Sequence, residues 1–174
     1  MDGNGRWARR RFRPRAYGHR MGVQNMFKIC GHAFNLGVRI VTVFALSAEN
    51  LSRPKEEVDE LFELFRSYFS KKRERMFELT SGLLNICVNY GARQELVRAV
   101  NKAVALGRFV DENSLESMFY TAGLPDPDLI IRTGGEIRLS NFLLYQAAYS
   151  ELYFSGKMWP EFSKRDLEKA IENY

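Results

Sequence analysis

The opening residues hold the side chains whose types and spacing are best suited to chemistry. Asp2 supplies a carboxylate and Arg6 a guanidinium group, and between them Gly3 and Gly5 flank Asn4. Two glycines allow a tight turn whose backbone N–H groups face one anion, above all where a helix follows. A guanidinium group fits phosphate oxygens. A carboxylate beside phosphate is repelled unless a cation lies between them, and Mg²⁺ is the simplest such cation.

Three interpretations of this stretch compete. Gly3-x-Gly5-x-x-Ala8 fits the dinucleotide fingerprint, but that fingerprint requires an acidic residue about 20 positions further on. No carboxylate occurs between Asp2 and Glu49. The second interpretation is a plain turn around an Asn-Gly pair. The third is a metal-assisted diphosphate site, which requires further cations from the rest of the chain.

Charge is distributed unevenly along the 174 residues. Residues 3–48 contain nine lysines and arginines and no carboxylate, within a net charge of +5. Such a segment attracts a phosphate-bearing ligand, nucleic acid or an anionic lipid surface. Cys30 and Cys87 each lie in an apolar run without metal-type spacing, which is typical of reduced thiols in a cytosolic protein. No apolar run reaches the length of a membrane span, so we expect a cytoplasmic protein that contacts membranes at most peripherally.

Alternating apolar patterns predict the secondary structure. Residues 9–20 predict a loop or frayed helix, in which Arg15 and His19 would share one face if the segment is helical. The following segments are a helix over 21–34, a buried strand over 38–46, a helix from Pro54 toward 79, a strand over 83–88, helices over 94–106 and 114–120, a short strand over 128–132, an apolar helix over 142–148 and a last helix from Ser163. This order predicts a single α/β domain with a central parallel sheet flanked by helices.

Polar clusters directly follow the predicted strands, at residues 47–53, 89–91 and 132–138. Ligands of parallel α/β sheets bind outside the carboxyl ends of the strands. The opening stretch would fall at the same edge if a strand preceded it. We therefore expect these clusters to form one site.

Several of these segments together resemble the cis-prenyltransferases, of which the bacterial undecaprenyl diphosphate synthases are the commonest members. The motifs that carry the resemblance are Asp2-Gly-Asn-Gly-Arg-Trp-Ala, Arg15-x-x-Gly-His19, Ser47-x-Glu-Asn50-x-x-Arg53-Pro, Asn89-Tyr-Gly, the run over 131–144, Glu151-Leu-Tyr-Phe and Trp159-Pro. They span the chain from Asp2 to its C-terminal region in the family's order.

The resemblance implies a parallel sheet with surrounding helices and an apolar tunnel, unlike the all-helical trans-prenyltransferases. It implies a homodimer that condenses isopentenyl diphosphate onto an allylic diphosphate, usually farnesyl diphosphate, with Mg²⁺. The expected product is a long Z-polyprenyl diphosphate, above all the undecaprenyl diphosphate that serves as a cell-wall lipid carrier. The helices over 21–34 and 58–69 would then form the tunnel wall.

The resemblance also assigns roles to individual residues. Asp2 corresponds to the Mg²⁺-binding aspartate, and Glu151 to a glutamate that assists metal and substrate binding near the dimer interface. The allylic diphosphate would be bound by Gly3, Asn4, Gly5, Arg6, Trp7, Arg15 and His19. The isopentenyl diphosphate would be bound by Arg132, Arg138 and Ser140. Asn50 would orient the reacting centre, with Ser47, Glu49 and Arg53 beside it.

Some positions depart from the family pattern. Ala48 replaces a hydroxyl residue, Leu51 stands where tryptophan is usual, and Gly91-Ala92 replaces paired glycines. We also expect two family segments to be missing from this single domain over 1–174: a strand before Met1 and a segment near 79–81. Both would affect the tunnel rather than the diphosphate ligands.

Three alternatives to a long-chain synthase remain at this point. A short- or medium-chain Z-prenyl diphosphate synthase would use the same motifs. A non-catalytic prenyltransferase-like subunit would support a partner, although such subunits lack the metal-binding aspartate that Asp2 provides here. A nucleic-acid binder would use the basic residues 9–15, but no recognition motif accompanies them, and we expect no nucleic-acid partner.

Overall fold

The computed structural model describes residues 1–49, 58–59, 62–64, 66–67 and 82–174. In chain order the elements are helix α1 (Asn4–Arg9), helix α2 (Arg15–Asn35), strand β1 (Ile40–Ser47), strand β2 (Leu83–Tyr90), helix α3 (Ala92–Ala105), helix α4 (Glu112–Glu116), strand β3 (Leu129–Arg132), strand β4 (Glu151–Phe154), a 3₁₀ turn (Trp159–Glu161) and helix α5 (Lys164–Glu172). The α/β class with parallel strands and flanking helices is confirmed.

The described strands form two parallel pairs rather than one continuous sheet. β1 pairs with β2 from Ile40 opposite Leu83 to Ser47 opposite Tyr90. β3 pairs with β4, and Arg132 lies opposite Phe154. Because each pair is parallel and in register, its two strands end at the same level. In the described part of the chain, β1 and β3 each keep one unpaired edge, and both edges face the same cavity.

Helix α2 provides the main core. Met26, Cys30 and Phe34 are buried at helical spacing and pack with Trp159 and Phe162 near the C-terminus. The apolar pattern predicted a helix from residue 21, whereas α2 begins six residues earlier at Arg15. Pro14 precedes the first turn, which is a favourable start that the basic composition of residues 9–20 concealed.

Helices α1 and α2 approach so closely that only glycine fits at the contact. A Cβ atom on Gly18 would lie 2.1 Å from the Asn4 carbonyl oxygen, and one on Gly22 would lie 2.4 Å from Asn4 Oδ1. α2 is also tied to the C-terminal region, because Asn25 Nδ2 donates to the Trp159 carbonyl at 2.7 Å. The opening stretch is therefore fixed against the longest helix.

The segment after β3 is not the apolar helix predicted over residues 142–148; it forms a series of turns. Asn141 and Leu143 have φ angles of 65° and 45°, a left-handed conformation that interrupts a right-handed helix. Phe142 stacks on Phe44 of β1 with ring centroids 4.6 Å apart. This irregular segment thus joins the two strand pairs.

The other predicted elements that lie in the described residues agree with the structure to within a few residues.

A buried carboxylate fixes the position of α3. Glu95 of α3 is 1% exposed and accepts hydrogen bonds from the Tyr90 hydroxyl at 2.6 Å and the Tyr120 backbone N–H at 2.8 Å. Gln146 Nε2 donates to it at 3.1 Å. Of the helix predicted after Pro54, the described residues over 58–67 are helical, and the others lie outside the described residues.

Candidate active site at the carboxyl ends of the strands

The opening loop lies beside the end of β3. Gly3 adopts a φ of 99°, and a Cβ atom there would lie 2.9 Å from Met158 Cβ, so both conformation and space require glycine. α1 begins directly afterwards at Asn4. The Asp2 backbone N–H donates to Thr133 Oγ1 at 3.2 Å, and the Thr133 hydroxyl also bonds to the Asp2 carbonyl. The first residue after β3 therefore anchors the loop.

Two guanidinium groups and one amide hold the Asp2 carboxylate. Arg132 Nη2 donates to Asp2 Oδ2 at 3.0 Å, the Gly3 N–H donates to Oδ1 at 2.6 Å, and Arg6 Nη2 lies 3.5 Å from Oδ1. Partial burial alone would raise the pKa of Asp2. The hydrogen bond from Arg132, the Gly3 amide and the charges of Arg132 and Arg6 outweigh burial and lower that pKa. Asp2 is thus an anion at neutral pH.

The segment after β3 forms a second set of charged contacts. Arg132 Nη1 donates to Ser140 Oγ at 2.8 Å and to the Arg138 carbonyl. Glu136 accepts from Arg138 Nη1 at 2.6 Å and lies 3.3 Å from Arg6 Nη1. Three guanidinium groups from Arg6, Arg132 and Arg138 are thereby held around one opening. We call these three arginines with Asp2, Glu136 and Ser140 the arginine cluster.

The ends of β1 and β2 carry mainly neutral groups. Glu49 Oε1 accepts from Asn141 Nδ2 at 2.8 Å, and the same amide donates to Gln94 Oε1 at 2.9 Å. Asn141 Oδ1 accepts from the Arg93 N–H at 2.9 Å, and the Asn141 carbonyl accepts from the Ala92 N–H at 2.8 Å. The bond from Asn141 is the leading cause of the lowered pKa of Glu49. We call Glu49, Asn141 and Gln94 the amide cluster.

A cavity of about 1060 Å³ connects the two clusters. Its polar lining includes most of the residues assigned from the sequence: Asp2, Gly3, Asn4, Gly5, Arg6, Arg15, His19, Ser47, Glu49, Arg132, Arg138 and Ser140. Its apolar lining comes from α2, β1, β3 and α5, including Ile29, Ala33, Val43 and Leu167. A charged opening above an apolar body suits an amphiphile with an anionic head.

One assigned residue, Trp7, does not line this cavity. Trp7 is buried against Ala8 and Met158 and stacks with Tyr17 at 5.9 Å between ring centroids. It therefore supports α1 rather than lining the opening. Asn50 and Arg53 lie outside the described residues.

Glu151 lies at the opposite end of its strand pair from Asp2. It pairs with Leu129 at the start of β3, three positions before Arg132. Within the described part of one chain, the parallel register therefore separates Glu151 from Asp2. The assisting role near a dimer interface that the resemblance implies for Glu151 stays a prediction.

Three residues matter here although the sequence assigned them no individual role. Thr133 is 2% exposed and anchors the loop, Glu136 bridges two arginines, and Asn141 links the two clusters. All three lie in the quoted run over 131–144. Their polar side chains, within a motif of the family, were the signal available in the sequence. Their hydrogen-bond partners depend on the left-handed backbone at Gly134, Gly135 and Ser140–Asn141, which is a tertiary property.

Asp2 is the residue of the cavity lining that best suits a divalent cation bound together with a ligand. Among the described residues, no group of three or more His, Cys, Asp or Glu side chains could hold a metal ion. Asp2 is nevertheless 39% exposed and lines the cavity beside three arginines. Mg²⁺ is usually bound by one or two carboxylates with phosphate oxygens and water. The donor set therefore fits Mg²⁺ that arrives with a diphosphate.

Known proteins are similar to this chain in sequence and in fold. Residues 1–81 and 74–174 match the prenyltransferase model of the undecaprenyl diphosphate synthase family. An isoprenyl transferase of Aquifex pyrophilus is 41% identical over 206 residues, covering 100% of this chain and 89% of the relative. An isoprenyl transferase of Streptococcus mutans is 42% identical over 216 residues, covering 100% of this chain and 87% of the relative.

A solved structure agrees with this assignment. Lavandulyl diphosphate synthase from Lavandula x intermedia, crystallised in complex with dimethylallyl diphosphate, is 31% identical to this chain. It superposes with a TM-score of 0.88, and the match covers 100% of this chain and 92% of that one. The family resemblance found in the motifs is thereby confirmed, and the chain belongs to the undecaprenyl diphosphate synthase family of cis-prenyltransferases.

Proposed function

We propose that this prenyltransferase condenses isopentenyl diphosphate with farnesyl diphosphate and repeats the step to make a long Z-polyprenyl diphosphate, above all undecaprenyl diphosphate. The observation that carries the proposal is the arginine cluster, which holds three guanidinium groups with the two carboxylates of Asp2 and Glu136 at the mouth of an apolar cavity. Two diphosphates in one cleft need several cations to offset their mutual repulsion.

The allylic diphosphate binds at the opening loop in this proposal. Gly3, Asn4 and Gly5 let the backbone approach its oxygens, and Arg6 supplies a donor fork. Arg15 and His19 line the same cavity from the first turn of α2. Arg6 is already oriented by Asp2 and Glu136, so little side-chain entropy is lost when the ligand arrives.

The isopentenyl diphosphate binds at the other side of the arginine cluster. Arg132 is only 15% exposed and is fixed by Ser140 and the Arg138 carbonyl, whereas the Arg138 side chain is 60% exposed. A buried, oriented arginine beside an exposed one suits a bound head group that exchanges at every cycle. Ser140 Oγ can donate its own hydrogen to phosphate while it accepts from Arg132.

The reaction joins the two substrates by bond exchange at the allylic carbon. The alkene of isopentenyl diphosphate forms a bond to that carbon, the allylic C–O bond breaks, and the diphosphate leaves with the electron pair. A proton is then lost from the new chain, which forms the cis double bond. Asp2 would hold Mg²⁺, which neutralises the departing charge when bound. Arg6 and Arg132 stabilise the same charge.

The amide cluster orients the reacting centre in this scheme. Glu49 and Ser47 lie at the end of β1, and Asn50 and Arg53, outside the described residues, follow directly in the sequence. Holding alkene and allylic carbon in line is an orientation effect that lowers the barrier without new charge. Glu151 enters the proposal only through a second copy of the chain, as part of a homodimer working in the cytoplasm for cell-wall lipid synthesis.

Chain-length analysis of the products tests this function. The protein is incubated with farnesyl diphosphate, labelled isopentenyl diphosphate and Mg²⁺, with and without EDTA. A metal-dependent ladder ending near eleven isoprene units is the expected result. A single short product would keep the chemistry and refute the long chain, and no product in any condition would favour a non-catalytic subunit.

A short-chain synthase is the second candidate. The solved relative that superposes over the whole chain is a lavandulyl diphosphate synthase in complex with dimethylallyl diphosphate. The same fold therefore accommodates a short allylic substrate in that protein. Supplying dimethylallyl diphosphate in place of farnesyl diphosphate distinguishes the two candidates, since a long-chain enzyme should prefer the longer starter.

A further inference from the structure

The turn between α1 and α2 presents an unusual surface. All residues from 9 to 15 are exposed, and they comprise five arginines, one proline and Phe12. The five arginines are Arg9, Arg10, Arg11, Arg13 and Arg15. We call residues 9–15 the arginine turn. The reaction described above uses only Arg15 of these residues, and it explains neither the other four arginines nor the aromatic residue.

Phe12 combines two features that oppose folding stability. Its side chain is 98% exposed, and its φ angle of 54° is left-handed, a conformation that costs a non-glycine residue about 1–2 kcal/mol. An aromatic ring at such a position gains nothing from the core. A strained backbone conformation persists only where the surrounding structure maintains it, and such positions cluster at functional sites.

The arginine turn is held in shape rather than loosely extended. The Phe12 N–H donates to the Arg9 carbonyl at 3.0 Å, and the Arg13 N–H donates to the Ala8 carbonyl at 2.9 Å. Arg11 ion-pairs with Glu161 at 2.5 Å and covers the Trp7 ring. Phe12 is therefore presented at a fixed tip.

Most of the charge at this tip is available to a ligand. Among the described residues, Arg9, Arg10 and Arg13 form no ion pair with a carboxylate. Arg13 lies over the Tyr17 ring at 5.6 Å, which leaves its donors exposed. Arginine donors beside an apolar ring match a surface with phosphate groups outside and hydrocarbon within.

We propose that the arginine turn docks the protein on an anionic lipid bilayer, with Phe12 inserted among the acyl chains and Arg10 and Arg13 bound to head-group phosphates. A basic patch attracts anionic lipids, and an apolar side chain adds reversible insertion. In the described part of the chain, no helix is long and apolar enough to cross a membrane. The docking surface is thus a turn and not a span.

The position of the turn gives the contact a consequence. Arg9 and Arg15, at its two ends, both line the cavity. Docking therefore brings the cavity opening to the lipid surface, where a long isoprenoid product would partition. Lipid binding is measured without substrate, so its outcome is independent of the proposed product.

Vesicle co-sedimentation tests the proposal on the whole protein. Vesicles of equal parts phosphatidylglycerol and phosphatidylcholine should bind the protein, and pure phosphatidylcholine vesicles should bind it weakly. Phe12→Ser should weaken binding on the order of tenfold, and Arg10→Gln or Arg13→Gln about fivefold each. Added salt should weaken binding further.

Matched variants separate docking from folding. Phe109 is 104% exposed and lies outside the turn, so Phe109→Ser should leave vesicle binding unchanged. Arg165→Gln, on α5, is the control for removing one positive charge outside the arginine turn. Phe12→Gly removes both the ring and the strain, so it should raise the Tm while it lowers vesicle binding.

A reporter variant gives a direct reading. Phe12→Trp fluorescence should shift to shorter wavelength on anionic vesicles and not on neutral ones. Unchanged binding by Phe12→Ser, or equal loss in Phe109→Ser, would overturn the proposal. Salt-sensitive binding of duplex DNA without vesicle binding would overturn it in favour of a nucleic-acid partner.

Discussion

The arginine cluster and the amide cluster lie at the same edge of the fold but are built differently. The first is held by ion pairs among three arginines and two carboxylates. The second is held by amide hydrogen bonds around a single carboxylate, Glu49. Charged contacts suit the binding of charge, while neutral bonds suit positioning. This difference indicates that diphosphate binding and the alignment of the reacting groups are separable properties of this site.

Asn141 is where the two clusters meet. Its side chain belongs to the amide cluster, and its neighbour Ser140 belongs to the arginine cluster. Both residues have left-handed φ angles, 51° for Ser140 and 65° for Asn141. The two clusters are therefore joined by two adjacent residues of left-handed backbone.

The largest effect should come from Asp2→Ala. Removing the carboxylate removes the proposed metal ligand and leaves Arg132 and Arg6 without their common partner, so turnover should fall on the order of 10³-fold. Binding of farnesyl diphosphate should persist, because its cationic ligands remain. Steady-state kinetics and equilibrium binding measure the two separately. Near-normal turnover would refute the metal role, and Asp2→Glu serves as the conservative comparison.

Arg132→Lys should have the next largest effect. Lysine cannot donate to Asp2, Ser140 and the Arg138 carbonyl at once, because it lacks the planar fork. The KM for isopentenyl diphosphate should rise about 10- to 100-fold, with a smaller change for the allylic substrate. Arg138→Lys is the comparison and should raise the same KM less, since that side chain is mostly exposed. An equal rise for both substrates would contradict the separation of the two binding sides.

Asn141→Ala should break the connection between the clusters. It removes hydrogen bonds to Glu49, Gln94 and the start of α3, which should cost about 1–2 kcal/mol of unfolding free energy. It should also lower kcat about tenfold with little change in KM, if alignment is the property lost. Gln94→Ala removes one of these bonds only and is the matched control. A rise in KM without loss of kcat would assign Asn141 to substrate binding instead.

Acid should have the smallest effect. Because the pKa of Asp2 is lower in the folded protein, its contribution is present above the unfolded value of about 3.9 and is lost as pH falls through the folded value. Asp2 is partly exposed, so this contribution should be below about 1 kcal/mol. Urea unfolding at pH 7, 5 and 3 should show stability flat to pH 5 and lower at pH 3. The difference should shrink in Asp2→Asn, and a loss already complete at pH 5 would contradict it.

The sequence predicted the convergence of the clusters because parallel strands end together. Ser47, Arg132 and the opening loop were expected at one edge, and the structure brings them to one cavity. That inference needed only periodicity and the positions of polar residues. The predicted start of α2 was wrong, because a helix that begins with charged residues shows no apolar pattern there.

The predicted helix over 142–148 was wrong for a tertiary reason. Turns replace it, because the left-handed backbone at Asn141 and Leu143 is maintained by contacts distant in sequence. The place of Glu151 relative to Asp2 depends on strand register, which follows from pairing rather than from local composition, and its role stays a prediction.

The 3₁₀ turn at Trp159–Glu161 has a consequence for how the site opens. The Trp159 N–H donates to the Asp2 carbonyl at 2.9 Å, and the Trp159 indole N–H donates to the Gly22 carbonyl at 2.8 Å. The opening loop is therefore held by a residue far from it in sequence, so the loop and the turn at Trp159 should open together. Hydrogen exchange of the opening-loop amides should then follow global unfolding rather than local fraying.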